Sequence, residues 1–352
     1  MQINTTTRQA EIARRLRPVR LWLQSVILLL IIMVLVGGAT RLTDSGLSIT
    51  EWAPIRGVLP PFSQAQWMAE FAKYQTTTEF ASINFNMTLA EFKPIYWWEW
   101  GHRFLGRLIG LVVVVPLVWF WVRGRLNSWL KPRLLLLLAM GASQGFIGWW
   151  MVQSGLVDRV DVSQIRLAVH LTMAFVIFAF AIWITQSLRL HTGQIVHGYT
   201  GIIAGLTVLA LVQVFFGGLL AGMDGGMIHN TWPDMSGSFV PEGIGAAGSM
   251  MDDLTGNATT IQFVHRMLAY ALAFGVLAHT VHVVAREPST PHARRAIVLT
   301  LIVIMQASVG IVTLVQQVPV EWALLHQFGG LLVVAALVVH WRGLKPKDLT
   351  SL

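Results

Sequence analysis

Apolar residues run in long stretches near positions 20–40, 102–122, 133–153, 166–188, 200–222, 265–284, 295–315 and 324–342. A helix that crosses a bilayer needs about 20 mostly apolar residues, and each stretch meets that length. The third and seventh are less uniform, carrying Gln144 and Gln306. The pattern predicts an all-α membrane protein with eight transmembrane helices.

Composition agrees with lipid as the solvent. Of 352 residues, 55% are apolar and only 12% charged, against about 25% charged in a soluble domain. The net charge of +8 would suggest nucleic acid in a soluble protein, but its placement follows topology instead. Arg8, Arg14, Arg15, Arg17 and Arg20 precede the first stretch; Arg123, Arg125, Lys131 and Arg133 follow the second. Arg189 follows the fourth, Arg286, Arg294 and Arg295 the sixth, and Arg342, Lys345 and Lys347 the last. Segment 223–264 carries Asp224, Asp234, Glu242, Asp252 and Asp253 without Lys or Arg. By the positive-inside rule both termini are cytoplasmic, and the long loops 41–101 and 223–264 face outward. No cleavable signal peptide is evident, and the short Arg-rich start runs straight into the first stretch, which points to a bacterial inner membrane. With no cysteine, disulfides and thiolate ligands are excluded, and a metal must be held by His, Met or carboxylate.

The chain repeats itself. Gly37-Gly38, Asp44 and Trp52 recur as Gly217-Gly218, Asp224 and Trp232 at an offset of 180. His102-Arg103 recurs as His265-Arg266 at 163, Gln144 and Gly148 as Gln306 and Gly310 at 162, and His170 as His326 at 156. These matches are ordered and mostly polar or glycine, whereas chance similarity between membrane helices pairs Leu with Val. Four helices per half is an even number, so the halves, 1–190 and 191–352, are expected to run in the same direction as two parallel-repeat four-helix bundles.

Eleven histidines are present. His191, His197, His292 and His340 read as solvated or interfacial, His229 lies in the outward loop, and no function is assigned to His279 or His282. His102, His170, His265 and His326 remain, each expected within about the first turn of its helix and all at one depth near the outer surface. Ionisable groups in spans are rare and usually functional. Two facing His per bundle suit bis-imidazole haem, whereas zinc or copper wants three or four converging ligands. Gly106, Gly110, Gly145, Gly148, Gly329 and Gly330 give room for a macrocycle or for close helix packing. Arg103, Arg107 and Arg266 are placed either to pair with haem propionates or to snorkel to the interface.

The halves differ three residues before the helix ligand: Glu99 precedes His102, and Gln262 precedes His265. That spacing puts both side chains on one helical face. A carboxylate beside a haem edge can move protons or stabilise developing positive charge, and a glutamine cannot titrate. Chemistry is therefore assigned to the first site, with Glu99 as its catalytic group, and an electron-carrying or supporting role to the second. The plainer account is that Glu99 caps its helix. Tyr96, Trp97, Trp98 and Trp100 read as an interfacial belt. On these residues alone, a two-haem membrane cytochrome b exchanging electrons with a quinone leads, although it leaves the one-sided carboxylate unexplained. A transporter or haem exporter would need charged or broken helices near the midplane, which the apolar spans scarcely offer.

Several motifs together resemble the haem A synthase family, in the alphaproteobacterial and mitochondrial group. They are Gly37-Gly38-Ala39-Thr40-Arg41-Leu42-Thr43 with Ser45-Gly46-Leu47-Ser48, Glu99-Trp100-Gly101-His102-Arg103, His170-Leu171, Asn230-Thr231-Trp232-Pro233, Gln262-Phe263-Val264-His265-Arg266 and His326-Gln327. The resemblance covers nearly the whole chain. It implies oxidation of the ring position 8 methyl of haem O to the formyl of haem A, through hydroxylated intermediates. It also implies substrate haem on His102 and His170, permanent haem B on His265 and His326, and a requirement for Glu99. Some bacterial members carry a cysteine pair in an outward loop; this chain has none, so a thiol-linked mechanism is not expected. The implied partners are a farnesylating haem O synthase upstream, a haem-copper oxidase or its assembly factors downstream, and an unidentified electron donor, with homo-oligomerisation left open and no nucleic acid.

Overall fold

The structure is a computed structural model that describes residues 2–53, 56–157, 159–189 and 197–344, with side chains from Ala10 onward except those of Arg56 and His197. His191, Lys345 and Lys347 lie outside the described residues. Eleven α-helices follow in order among them: α1 (Gln2–Leu42), α2 (Gln64–Tyr74), α3 (Thr78–Ser82), α4 (Leu89–Val122), α5 (Leu130–Gln153), α6 (Gln164–Ser187), α7 (Thr200–Ala221), α8 (Met250–Gly256), α9 (Ala258–Arg286), α10 (Pro291–Val315) and α11 (Val320–Gly343). No strand forms among the described residues. Eight helices are long and apolar enough to cross a membrane: α1 from Ala10, α4, α5, α6, α7, α9, α10 and α11. That is the number expected from the apolar stretches.

Several helices start well before their apolar stretch, because local capping sets their ends. At α4, Thr88 accepts from the Glu91 amide while Glu91 reaches back to the Thr88 amide, a reciprocal arrangement that pairs two otherwise orphaned donors. The helix thus begins at Leu89, and polar Glu91, Lys93 and Glu99 continue it. At α9 the Asn257 side chain accepts from the Thr259 and Thr260 amides; at α10 Thr290 accepts from Ala293. The expectation that the four key histidines lie in the first turn is therefore corrected. His102 lies in the fourth turn of α4, and His170, His265 and His326 lie in the second turns of α6, α9 and α11.

Two apolar clusters hold the spans together. One joins Val19, Leu23 and Val26 of α1 with Leu117 of α4, Leu134 of α5 and Ile184 of α6. The other joins Phe178 of α6, Ile203 of α7, Val276 of α9, Leu299 of α10 and Leu337 of α11, and takes in Val34 of α1. Large apolar side chains on the outer faces, such as Leu111, Phe146, Val208, Phe274 and Leu301, stay exposed, as a lipid-facing surface requires.

Corresponding positions meet corresponding partners. Asp44 and Asp224 both adopt left-handed backbone, at φ 46° and 48°. Arg41 joins the two, donating to Asp44 at 2.9 Å, Asp224 at 3.1 Å and the Ala221 carbonyl at 3.2 Å. Both carboxylates are largely exposed, so these ion pairs contribute little energy and mainly fix where the ends of α1 and α7 meet. Between α5 and α6, Gln144 Nε2 donates to the His170 carbonyl at 2.8 Å; between α10 and α11, Gln306 Nε2 donates to the His326 carbonyl at 2.8 Å.

The segments between α1 and α4 and between α7 and α9 have their own order. Trp67, Phe71 and Tyr74 of α2 pack on Phe92 and Tyr96 of α4 as a buried aromatic cluster. In the later segment Asp253 of α8, 5% exposed, accepts from Thr260 Oγ1, Asn257 Nδ2 and the Gly245 and Ala247 amides. These bonds, that of Thr260 above all, hold its carboxyl down to about 2.

Candidate functional site

Each of the four histidine rings lies on a glycine of a neighbouring helix. A Cβ built on Gly37 of α1 would stand 3.0 Å from His102 Nε2, and one on Gly217 of α7 would stand 3.1 Å from His265 Cε1. The same test puts Gly148 of α5 at 2.9 Å from His170 Cε1 and Gly310 of α10 at 2.7 Å from His326 Cε1. The contacts at Gly148 and Gly310 are closer than a real Cβ comes, and at Gly37 and Gly217 the ring would have to give by a few tenths of an ångström, so glycine lets these rings lie where they do. Gly37 matches Gly217 at the offset of 180, and Gly148 matches Gly310 at the offset of 162.

The rings of His265 and His326 face each other with centres 6.5 Å apart and planes at 70°. A metal sits roughly 2 Å from an imidazole nitrogen, so this separation leaves room for one metal atom held from both sides. His170 lies within electrostatic reach of His102. No group of three or more His, Cys, Asp or Glu that could hold a metal is assembled among the described residues. Buried polar atoms without partners surround both sites: Nδ1 of His170 and of His265, and Nε of Arg266. Such orphans are uncommon in a closed protein interior and fit a polar-edged ligand. One contact opposes ligation as it stands: Gln213 Nε2 lies 3.2 Å from His265 Nε2 and must withdraw for that nitrogen to take a metal.

Glu99 is 3% exposed and lies well inside α4, so the helix-cap account of it does not hold. Its Oε2 accepts from Ser48 Oγ and the Ile49 amide, both at 2.7 Å. Its Oε1 takes Arg103 Nη2 at 2.6 Å and Nε at 3.1 Å. The carboxylate thus ties α4 to the segment after α1. Gln262 occupies the matching place in α9, where its Nε2 donates to the carbonyls of Gly225 and His229 at 3.1 and 3.2 Å.

Arg103 and Arg266 hold matching straps. Arg103 donates to the carbonyls of Ile49 and Glu51 at 2.7 and 2.9 Å. Arg266 donates to those of His229 and Thr231 at 2.9 and 3.0 Å, and to Asp234. Ile49 and Glu51 correspond to His229 and Thr231 at the offset of 180. Arg107 adds a bond to the Ala53 carbonyl at 3.1 Å. Backbone contacts from the segments after α1 and α7 were invisible in the sequence, since carbonyls leave no residue signature.

A further pair went unread. His340, expected to be solvated or interfacial, is 0% exposed. Its Nε2 lies 2.9 Å from Nε2 of His279, which is also buried. His279 follows His265, and His340 follows His326, by 14 residues each, which places both pairs between the same two helices about 21 Å apart along the axes. The equal spacing was the available signal. The first four spans carry Pro116 and Ile184 at the matching positions.

A family model described as cytochrome oxidase assembly protein matches residues 20–338. A protein from Chelativorans sp. (strain BNC1) named Heme A synthase is 51% identical over 325 residues, 92% of this chain and 90% of the relative. Proteins of the same name from Rhizobium etli and Sinorhizobium medicae are 48% identical over 348 residues and 47% over 340, covering 97% and 95% of this chain and 95% and 93% of the relatives.

Proposed function

The chain belongs to the family of cytochrome oxidase assembly proteins, and we propose that within it the protein is an oxidoreductase that converts haem O to haem A. The ring position 8 methyl becomes a formyl group through hydroxylated intermediates. Each conversion adds one oxygen atom and removes four electrons and four protons, with water as the formal oxygen source and an external electron acceptor. The product serves the assembly of a haem-copper oxidase, with haem O supplied by a farnesylating synthase.

The observation that carries this reading is that two paired-histidine sites share the same glycine seating, while the position three residues before the helix histidine is the ionisable Glu99 in one and Gln262 in the other. His102 and His170 hold the substrate haem, and His265 and His326 a resident haem B. When bound, haem B supplies one-electron redox chemistry. Glu99 holds or takes a proton at the edge of the first site, where Ser48, Ile49 and Arg103 fix its position. Arg103 and Arg266 keep the straps over the two sites, and their remaining N–H groups suit haem propionates. The recurring glycine–histidine contacts support two four-helix bundles, 1–190 and 191–352, in parallel repeat. The distribution of Lys and Arg supports cytoplasmic termini, with haem sites near the periplasmic side of a bacterial inner membrane.

Replacing Glu99 with Gln tests the assignment. The variant is expected to keep both haems and to make haem A at least about a hundredfold more slowly, within the range for loss of a positioned acid–base group. Haem A formation at the normal rate would remove Glu99 from the chemistry.

A further inference from the structure

The two outward segments each bury one carboxylate, and the two are satisfied in opposite ways. Asp253, in the segment beside Gln262, accepts four hydrogen bonds and stays ionised. Glu79 of α3, in the segment beside Glu99, is 5% exposed and its Oε2 has no partner. The charged groups acting on it are Asp44, which follows α1, Asp161, which precedes α6, and Glu99 of α4, all carboxylates. The hydroxyl of Tyr74 of α2 faces it at hydrogen-bonding range. Asn84 Nδ2 donates to the Tyr74 oxygen at 2.7 Å, so the phenolic proton is left to turn toward Glu79.

A buried acid with an unpaired oxygen, set among like charges, is not built to hold a fold together; an uncompensated buried charge destabilises it. We propose that Glu79 is a proton relay for the first site, passing protons between Glu99 and the aqueous side, where Asp44 and Asp161 lie. The step is a proton transfer alone: Glu79 in its acid form gives its proton, by way of water, to the Glu99 carboxylate and is reprotonated from solvent, or the sequence runs in reverse as the oxidation releases protons. No carbon bond changes and no oxidant is consumed. Burial, the leading influence, pushes the Glu79 carboxyl up to about 7, where both forms are populated at neutral pH, as a relay requires. The inference rests on the reading of Glu99 as the acid–base group.

Infrared difference titration of the purified protein, paired with the pH profile of haem A formation, tests it. The wild-type protein is expected to show a carboxylic-acid band that titrates near pH 7 and is missing in Glu79→Gln. That variant keeps its haem content but slows haem A formation about tenfold and loses the limb of the pH profile near 7. In Tyr74→Phe, removing a hydrogen bond that favours the ionised form moves both band and limb to higher pH. If Glu79→Gln does not accumulate, Tyr74→Phe carries the test. An absent band, or a limb that stays put in either variant, overturns the relay while wild-type haem A formation leaves the synthase reading standing. A wild-type protein that forms no haem A sinks the synthase reading, and the relay with it.

Discussion

His326 lies so close to Gly310 that a Cβ there would stand 2.7 Å from the ring's Cε1. The contact joins α10 to α11 where Gln306 also grips the His326 backbone, so ring position and helix packing are set together. Replacing Gly310 with Ala must push the ring aside. The expected result is loss of the resident haem B and a stability cost of about 1–3 kcal/mol from overpacking, while Gly148→Ala affects the substrate site instead. Gly141→Ala, at a helical glycine with open space around it, is the control and should leave haem content unchanged. Haem content measured for the three variants decides; full retention in Gly310→Ala contradicts the seating argument.

Asp253 links the segment between α7 and α9 to acid stability. Its carboxyl sits near 2 in the folded protein, below the ordinary value of about 3.9. A depressed folded value means the unfolded chain binds more protons in that window. Its stabilisation is therefore present above about pH 4 and fades as pH falls toward 2. The difference in melting temperature between wild type and Asp253→Asn should shrink steadily over that range. A constant difference would place the effect of the substitution elsewhere.

The His279–His340 bond predicts non-additive mutations. One ring donates through Nε2 and the other accepts, so removing either leaves a buried polar nitrogen unpaired, at about 1–3 kcal/mol. Replacing both with leucine should cost less than the sum of the single changes. Chemical unfolding of the two single variants and the double variant gives the coupling energy; simple additivity would mean the bond contributes nothing.

The spans were legible because lipid demands a long apolar run, and the four seated histidines because polar matches between repeats stand out against an apolar background. Glu99 stood out because the position three residues before the helix histidine is glutamate in the first half and glutamine in the second. Four features were not legible. Helix starts were misjudged because Thr88 and Asn257 cap segments that are still polar, so apolar onset and helix onset differ. The bonds of Arg103 and Arg266 go to backbone carbonyls, which any residue can supply. His340 was read as interfacial from its place near the chain's basic end, although its burial depends on a partner 61 residues away in sequence. Glu79 was passed over for a similar reason: whether a loop carboxylate is satisfied is a property of contacts, not of residue type.

The central claim is that the protein holds one resident and one substrate haem. Mass-resolved chromatography of haems extracted from the purified protein, co-expressed with a haem O source, measures it directly. The account predicts haem B together with haem O, its hydroxylated form or haem A. Haem B alone, at two per chain despite available haem O, would contradict it and identify an electron-carrying cytochrome instead.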